Sequence, residues 1–339
     1  MNGGLIPTKL PEDGSAPIYD GADTSLWFVH AVAQYLRYTG DVRALAGGLF
    51  DVCTKIVERY RTDTAGLGIA CDASGIVGSR VAGIGTSWMD AKVGDWVITP
   101  RQGRTVELNA LWYNALRIVA EWCDEHDQPN RGTELTSLAD RTKLAFNRDF
   151  WNAQAGCCYD VVMDNGVDAS IRPNQLLAIS LPHAVLATER HASVLEVVGR
   201  HLLTPMGVRT LGPDDAAYQG RYGGDVVARD RAYHQGAAYP WLLGAYVSAM
   251  LRVRGRSGHV RVEALRYIRG CLGHLTADGC GQLCELFDGD APQRGNGAIA
   301  SVRSVGEILR TYVEDVLNET PEMPKPETKV PAPRPPVRK

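Results

Sequence analysis

The chain has 339 residues, 45% of them hydrophobic, with a formal net charge of −3 and a pI near 6.3. Enough apolar material is present for one large core, so disorder of the whole chain is excluded. No basic field is available for nucleic acid or an anionic membrane surface, and an uncharged substrate fits the balance better.

Taken in chain order, the 3.6-residue period predicts a first helix over residues 24–39. Leu26, Trp27, Val29, His30, Ala33 and Leu36 lie on one side, Asp23 serves as N-cap, and Gly40 is the stop. Further helices are expected over 42–61, 107–127, 133–150, 174–181, 183–203, 232–253, 257–276 and 298–317. Long stretches rich in Gly, Pro and Asp, such as 62–106 and 204–231, separate them. No strand alternates cleanly enough to predict a sheet, although short hairpins are expected around 69–81 and 157–162. Helices in series joined by elaborate loops suggest a helical toroid, in which function sits on the loops. The domain is expected to span 1–318, followed by a Pro-rich disordered tail over 319–339.

No run of eighteen apolar residues occurs, and the start MNGGLIPTKLPEDG has neither a basic region nor an apolar core, so a cytoplasmic location is expected. Eight cysteines are scattered without CxxC or zinc-type spacing and read as reduced thiols. No metal or cofactor is expected. The Asp288-Gly289-Asp290 turn lacks the terminal glutamate of a calcium loop and reads as a hydrogen-bonded turn.

Four loop segments concentrate chemistry. GTSWMDAKVGDWVITPRQGRTVELNALWYNAL, residues 85–116, gathers Trp88, Asp90, Lys92, Asp95, Glu107, Asn109 and Trp112. Pyranoses offer hydroxyls at their edges and apolar C–H faces, so carboxylates, amides and flat indoles make a sugar site. Asp90 beside Trp88 and Met89 is expected to be partly desolvated, which raises its pKa and suits a general acid. The plain alternative keeps the tryptophans in the core and makes Asp90 a turn cap. IRPNQLLAISLPH, residues 171–183, supplies Arg172, Asn174 and Gln175, either as sugar contacts or as an ordinary helix start with Pro173 at its first position. The segment around Tyr233 brings His234 and Gln235 as hydrogen-bonding candidates. GQLCELFDGDAPQRGNGAIAS, residues 281–301, carries Glu285 among Leu283, Leu286 and Phe287, a natural partner for Asp90 in two-carboxylate hydrolysis.

In this order the segments resemble the C-terminal glucosidase domain of glycogen debranching enzymes, the amylo-α-1,6-glucosidase family. The matching stretches are GLIPTKLPEDG from Gly4, YDGADTSLWFVHAVAQYLRYTGD from Tyr19, TSWMDAKVGDWVITPRQGRTVELNALWYNAL from Thr86 and YDVV from Tyr159. They continue with IRPNQLLAISLP from Ile171, LLTPMGVRTL from Leu202, YHQG from Tyr233 and ELFDGDAP from Glu285. The resemblance implies an all-α (α/α)6 toroid acting on branched α-glucan, glycogen or its limit dextrin, by an inverting mechanism. Asp90 matches the family's acid and Glu285 its base. The four segments themselves supply the expected substrate contacts, Trp88, Lys92, Glu107, Asn109, Trp112, Arg172, Asn174, Gln175, His234 and Gln235.

Two departures stand out. The family's toroid begins with further helices carrying a Trp-Gly-Arg-Asp segment before GLIP, so the ring is expected to be incomplete here, with an N-terminal domain encoded upstream as a partner. After Gly297 the family reads Ile-Ala-Gln-Ala-Trp-Ser, whereas this chain has Ile299-Ala300-Ser301-Val302-Arg303-Ser304. Two alternatives stay open: an inactive carbohydrate-binding remnant, and a toroid glycosidase acting on another α-glucoside.

Overall fold

The computed structural model describes residues 1–62, 68–79, 87–94 and 96–320. Asp95 and the expected Pro-rich tail from 321 onward lie outside the described residues, as does the end of the 69–81 hairpin.

Helices dominate. Asp23–Thr39 (α1) ends on Gly40, whose left-handed backbone (φ 64°) sends its N–H back to the Leu36 carbonyl. The expected 42–61 helix is a short turn at Val42–Ala44, a bend in which Gly48 has φ 125°, and then Phe50–Thr62 (α2). Val106–Glu125 (α3) is buried on nearly every side, as befits a helix apolar around most of its circumference. It packs against α1, α2 and Pro129–Asp149 (α4), which opens on proline four residues before the expected start. Leu177–Ser180 (α5), preceded by a tight turn at Pro173–Leu176, lies against α3. Thr188–His201 (α6) begins later than expected.

The expected 232–253 helix is two helices, Val226–His234 (α7) and Trp241–Arg254 (α8). Asp225 caps α7 by accepting from the Ala228 amide at 2.8 Å, and Pro240 stands at the entry of α8. Between them Gly236, at φ 156°, and the extended pair Ala238–Tyr239 break the path. Gly258–Ala277 (α9) and Val302–Arg310 (α10), continued by a looser turn over Thr311–Leu317, close the described chain against α8.

The chain is not all-helical. Ile69–Cys71 pairs with Val77–Ser79, as expected, and Val161–Met163 pairs with Gly166–Asp168. An unexpected antiparallel sheet runs Leu203–Thr204, Gly207–Arg209, Ala238–Tyr239, Leu286–Phe287 and Gly295–Asn296 in spatial order. Each strand has two or three residues, too few for alternation to register. The sheet matters because it opposes Val208 to Tyr239, Ala238 to Phe287 and Leu286 to Asn296. That register brings the loop holding Glu285 alongside the break between α7 and α8.

Candidate active site

A cavity of about 1020 Å³ opens among α1, the Trp88–Asp90 loop, α8 and α10. Helical spacing explains one wall. Asp23, Trp27, His30, Gln34 and Arg37 follow one another at four- and three-residue steps, and all five line the cavity. Leu26, Val29 and Val32 meanwhile enter the core. Trp27 and His30, grouped with the core side in the sequence reading, therefore face the cavity. Asp23 is not the N-cap either: Ala22 occupies that place, and Asp23 is the first helical residue.

Asp90 lines the opposite side, its side chain 64% exposed into the cavity. Burial by the surrounding walls raises its pKa, with the Asp20 charge adding to the effect and the Arg303 and Lys92 charges opposing it. His234 Nε2 stands 4.0 Å from Asp90 Oδ1. Burial holds the imidazole pKa well below its usual value, helped by the Arg172, Arg101 and Arg303 charges, so the ring is neutral and this approach is no ion pair. Trp88 stands edge-on to His234, Tyr239 and Trp241 with centroids 5.2, 5.3 and 5.1 Å away. These rings form an apolar surface next to a carboxyl, a combination suited to a pyranose face.

Glu285 approaches the same aromatic wall from an adjoining recess of about 410 Å³, which it lines with Tyr239, Trp241 and Arg303. The Tyr233 hydroxyl donates to Glu285 Oε1, and the Ala298 amide donates to Oε2 at 3.1 Å. Burial, followed by the Glu285 contact, raises the Tyr233 pKa, so the phenol remains a donor. Gly297, at φ 70°, lies against this carboxylate; a Cβ there would stand 2.6 Å from Oε2. Tyr233 and His234 are consecutive, one holding Glu285 and the other facing Asp90. Arg303 lies over the Trp241 ring at 5.8 Å and lines both recesses.

The other expected sugar contacts sit behind this wall. Arg101 forms buried ion pairs with Glu107 and Asp160, the latter at 2.6 Å. Asp160 Oδ1 also accepts from Asn174, whose own oxygen accepts from the Trp88 indole at 2.9 Å. Arg172 donates to the Thr210 and His234 carbonyls and to Gln235. Gln175 accepts from the Cys158 amide. Asn109 pairs with both backbone groups of Val77, and the Trp112 indole donates to the Gly75 carbonyl. Thus Glu107, Asn109, Trp112, Arg172, Asn174, Gln175 and Gln235 hold the wall rather than line the cavity, each of them hydrogen-bonded within the protein. Lys92 lies on the Lys92–Val93 strand and reaches the site through its charge on Asp90. Asp288 pins a loop, accepting from the Tyr222 amide, Asn296 and Arg221.

Sequence reasoning missed Asp23, Tyr239 and Trp241 as cavity residues and Tyr233 as the group that holds Glu285. For Asp23 the signal was present in the polar stripe running from it to Arg37.

The family model described as amylo-alpha-1,6-glucosidase matches residues 1–310. Among characterised proteins, the glycogen debranching enzyme of Saccharomyces cerevisiae is 26% identical over 204 residues, covering 48% of this chain and 13% of that protein. The chain thus corresponds to a small part of that relative. The crystal structure of a GH78 family rhamnosidase of Bacillus sp. GL1 superposes with a TM-score of 0.57 at 15% identity. That likeness, over 86% of this chain and 26% of the rhamnosidase chain, concerns the fold. Among the described residues no helix is long and apolar enough to cross a membrane.

Proposed function

Because the chain belongs to the amylo-alpha-1,6-glucosidase family, we propose that it is a glycoside hydrolase that removes α-1,6-linked glucose from glycogen-type limit dextrins in the cytoplasm. In this reading Asp90 is the general acid and Glu285 the general base of an inverting displacement. Asp90 gives its proton to the glycosidic oxygen as the bond to the anomeric carbon breaks. Glu285 takes a proton from a water that attacks that carbon from the opposite face. The two carboxyl groups then need roughly 6.5–9.5 Å between them, enough for sugar carbon and water. Helices α1, α3, α8 and α10 are read as part of an incomplete (α/α)6 ring with the cavity inside it.

One observation carries the proposal. Two carboxylates far apart in sequence meet the same patch, Asp90 beside His234 and Glu285 on the Tyr233 hydroxyl. Their surroundings differ in the sense the two roles require. Burial raises the Asp90 pKa, which favours the protonated form that a general acid needs. Glu285 receives a phenol O–H and a backbone N–H, which fix the orientation of its carboxylate.

Glucose release from a limit dextrin bearing single-glucose stubs tests this. The unmodified chain should release glucose, and Asp90→Asn and Glu285→Gln should each lose about 10²–10⁴ of the rate. Unchanged rates in both variants would defeat the assignment. Arg303, exposed on the wall where the family has tryptophan, favours a second reading as a binding remnant; dextrin bound by the unmodified chain without glucose release selects it.

A further inference from the structure

Two polar side chains on the cavity wall lack a side-chain hydrogen-bond partner among the described residues. Asp23 is 6% exposed, lines the cavity, and among the described residues has no hydrogen-bond partner beyond its own backbone amide. His234 is fully buried, lines the same cavity, and neither ring nitrogen has a hydrogen-bond partner. Buried polar groups in native proteins are nearly always satisfied, so a pair of orphans facing one open space marks a place where something else completes the bonding. Both are tied to Asp90, His234 by the 4.0 Å approach and Asp23 by a repulsion between the two carboxyls. Arg303, the basic group that acts on Asp23, is exposed and does not cap it.

The chemistry of the orphans defines their guest. A neutral imidazole offers one donor and one acceptor, and a carboxyl offers acceptors and, when protonated, a donor. Vicinal hydroxyls of a sugar present the same mixture. The indole of Trp27, one turn along α1 from Asp23, and that of Trp88 supply faces for the ring. A purely apolar guest would leave the His234 donor without an acceptor.

We infer that Asp23 is a substrate-binding residue which, with His234, grips hydroxyls of the terminal glycosyl unit and so fixes which sugar is presented to Asp90. This deepens the hydrolase reading and rests on it. Asp23 takes no part in proton transfer at the anomeric centre; its share is ground-state and transition-state binding of the sugar.

The test uses the full chain, with a panel of monodeoxy α-glucosyl fluorides as substrates and the iminosugar 1-deoxynojirimycin as a binding probe. Asp23→Ala should lower kcat/KM on the parent fluoride by about ten- to a hundredfold. On one member of the panel, the one lacking the hydroxyl that Asp23 holds, the same variant should lose less than about twofold, since the partner is already gone. Calorimetry should show weaker 1-deoxynojirimycin binding in Asp23→Ala. Asp23→Asn, which keeps the shape and a donor, should fall between the two and melt no lower than the unmodified chain. A uniform loss across the panel would assign Asp23 a structural role and overturn the inference, as would unchanged iminosugar affinity. Those outcomes, with the unmodified chain still turning over the fluoride, leave the hydrolase reading intact. Neither turnover nor iminosugar binding by the unmodified chain sinks both.

Discussion

Replacing Asp23 by Asn should make the protein more stable at pH 8 and leave it unchanged near pH 4. The Asp23 carboxyl is raised from its usual 3.8 to about 7, first by burial and then by the Glu107 and Asp90 charges, with Arg303 opposing. Between those two values the folded chain keeps a proton that the unfolded chain has released. Stability therefore falls as pH rises through this window, and the full penalty applies above pH 7. At about 1.4 kcal/mol per pKa unit, the penalty is on the order of 4 kcal/mol. An amide never ionises, so the variant avoids it. Thermal melts of both proteins at pH 4, 5, 6, 7 and 8 should give coincident curves at the acid end and a gap that opens to several degrees at pH 8. A gap independent of pH would show that the Asp23 pKa does not change on folding, and a variant less stable at pH 8 would show that Asp23 is ionised on a native partner; either would refute the reasoning. A residue that costs stability and yet weakens sugar binding when replaced fits retention for function.

Other outcomes follow from the same geometry. Gly297→Ala should lower kcat by displacing the Glu285 carboxylate, against which the new Cβ would stand at 2.6 Å; steady-state kinetics check this, and an unchanged kcat contradicts it. Tyr233→Phe removes the donor to Glu285 and should reduce kcat by about tenfold, roughly the worth of one charge-assisted hydrogen bond. Arg303→Leu removes a charge that lowers the Asp90 pKa, so the alkaline limb of the kcat/KM profile should move to higher pH; a shift to lower pH would be inconsistent with Asp90 as acid. Asp160→Ala leaves Arg101 and Asn174 short of a buried partner and should cost about 3–5 kcal/mol in chemical denaturation.

Much of this architecture was legible in sequence where a period persisted. Helices α1, α3 and α9 lie within a few residues of their expected ends because amphipathic or wholly apolar runs of about twenty residues leave little choice. The split at Gly236–Pro240 was hidden because Ala232 to Val253 is apolar enough to read as one helix. The pairing of Ala238–Tyr239 with strands on both sides, together with Gly236 and Pro240, makes the break. The five-stranded sheet was illegible for a related reason, since dipeptide strands are made by tertiary pairing and not by local pattern.

The candidate site divides along the same line. Asp90 and Trp88 could be picked out because they stand in a polar loop that also carries aromatics, and His234 because it ends α7 beside Tyr233. Glu107, Asn109 and Trp112 stand in the same segment but on α3, where burial converts them into scaffold. Whether a polar residue faces substrate or braces its neighbours depends on which side of the wall it occupies, a property absent from the one-dimensional string. Asp23 was the converse case, dismissed as a cap although its helical register placed it with Trp27 and Gln34 on the cavity side.

The decisive measurement follows the anomeric proton of glucose by NMR after the unmodified chain is mixed with a limit dextrin carrying single α-1,6 glucose stubs. Attack by a water held on Glu285, opposite Asp90, predicts that β-glucose appears first and then mutarotates. Initial release of α-glucose would contradict the assigned pair of roles.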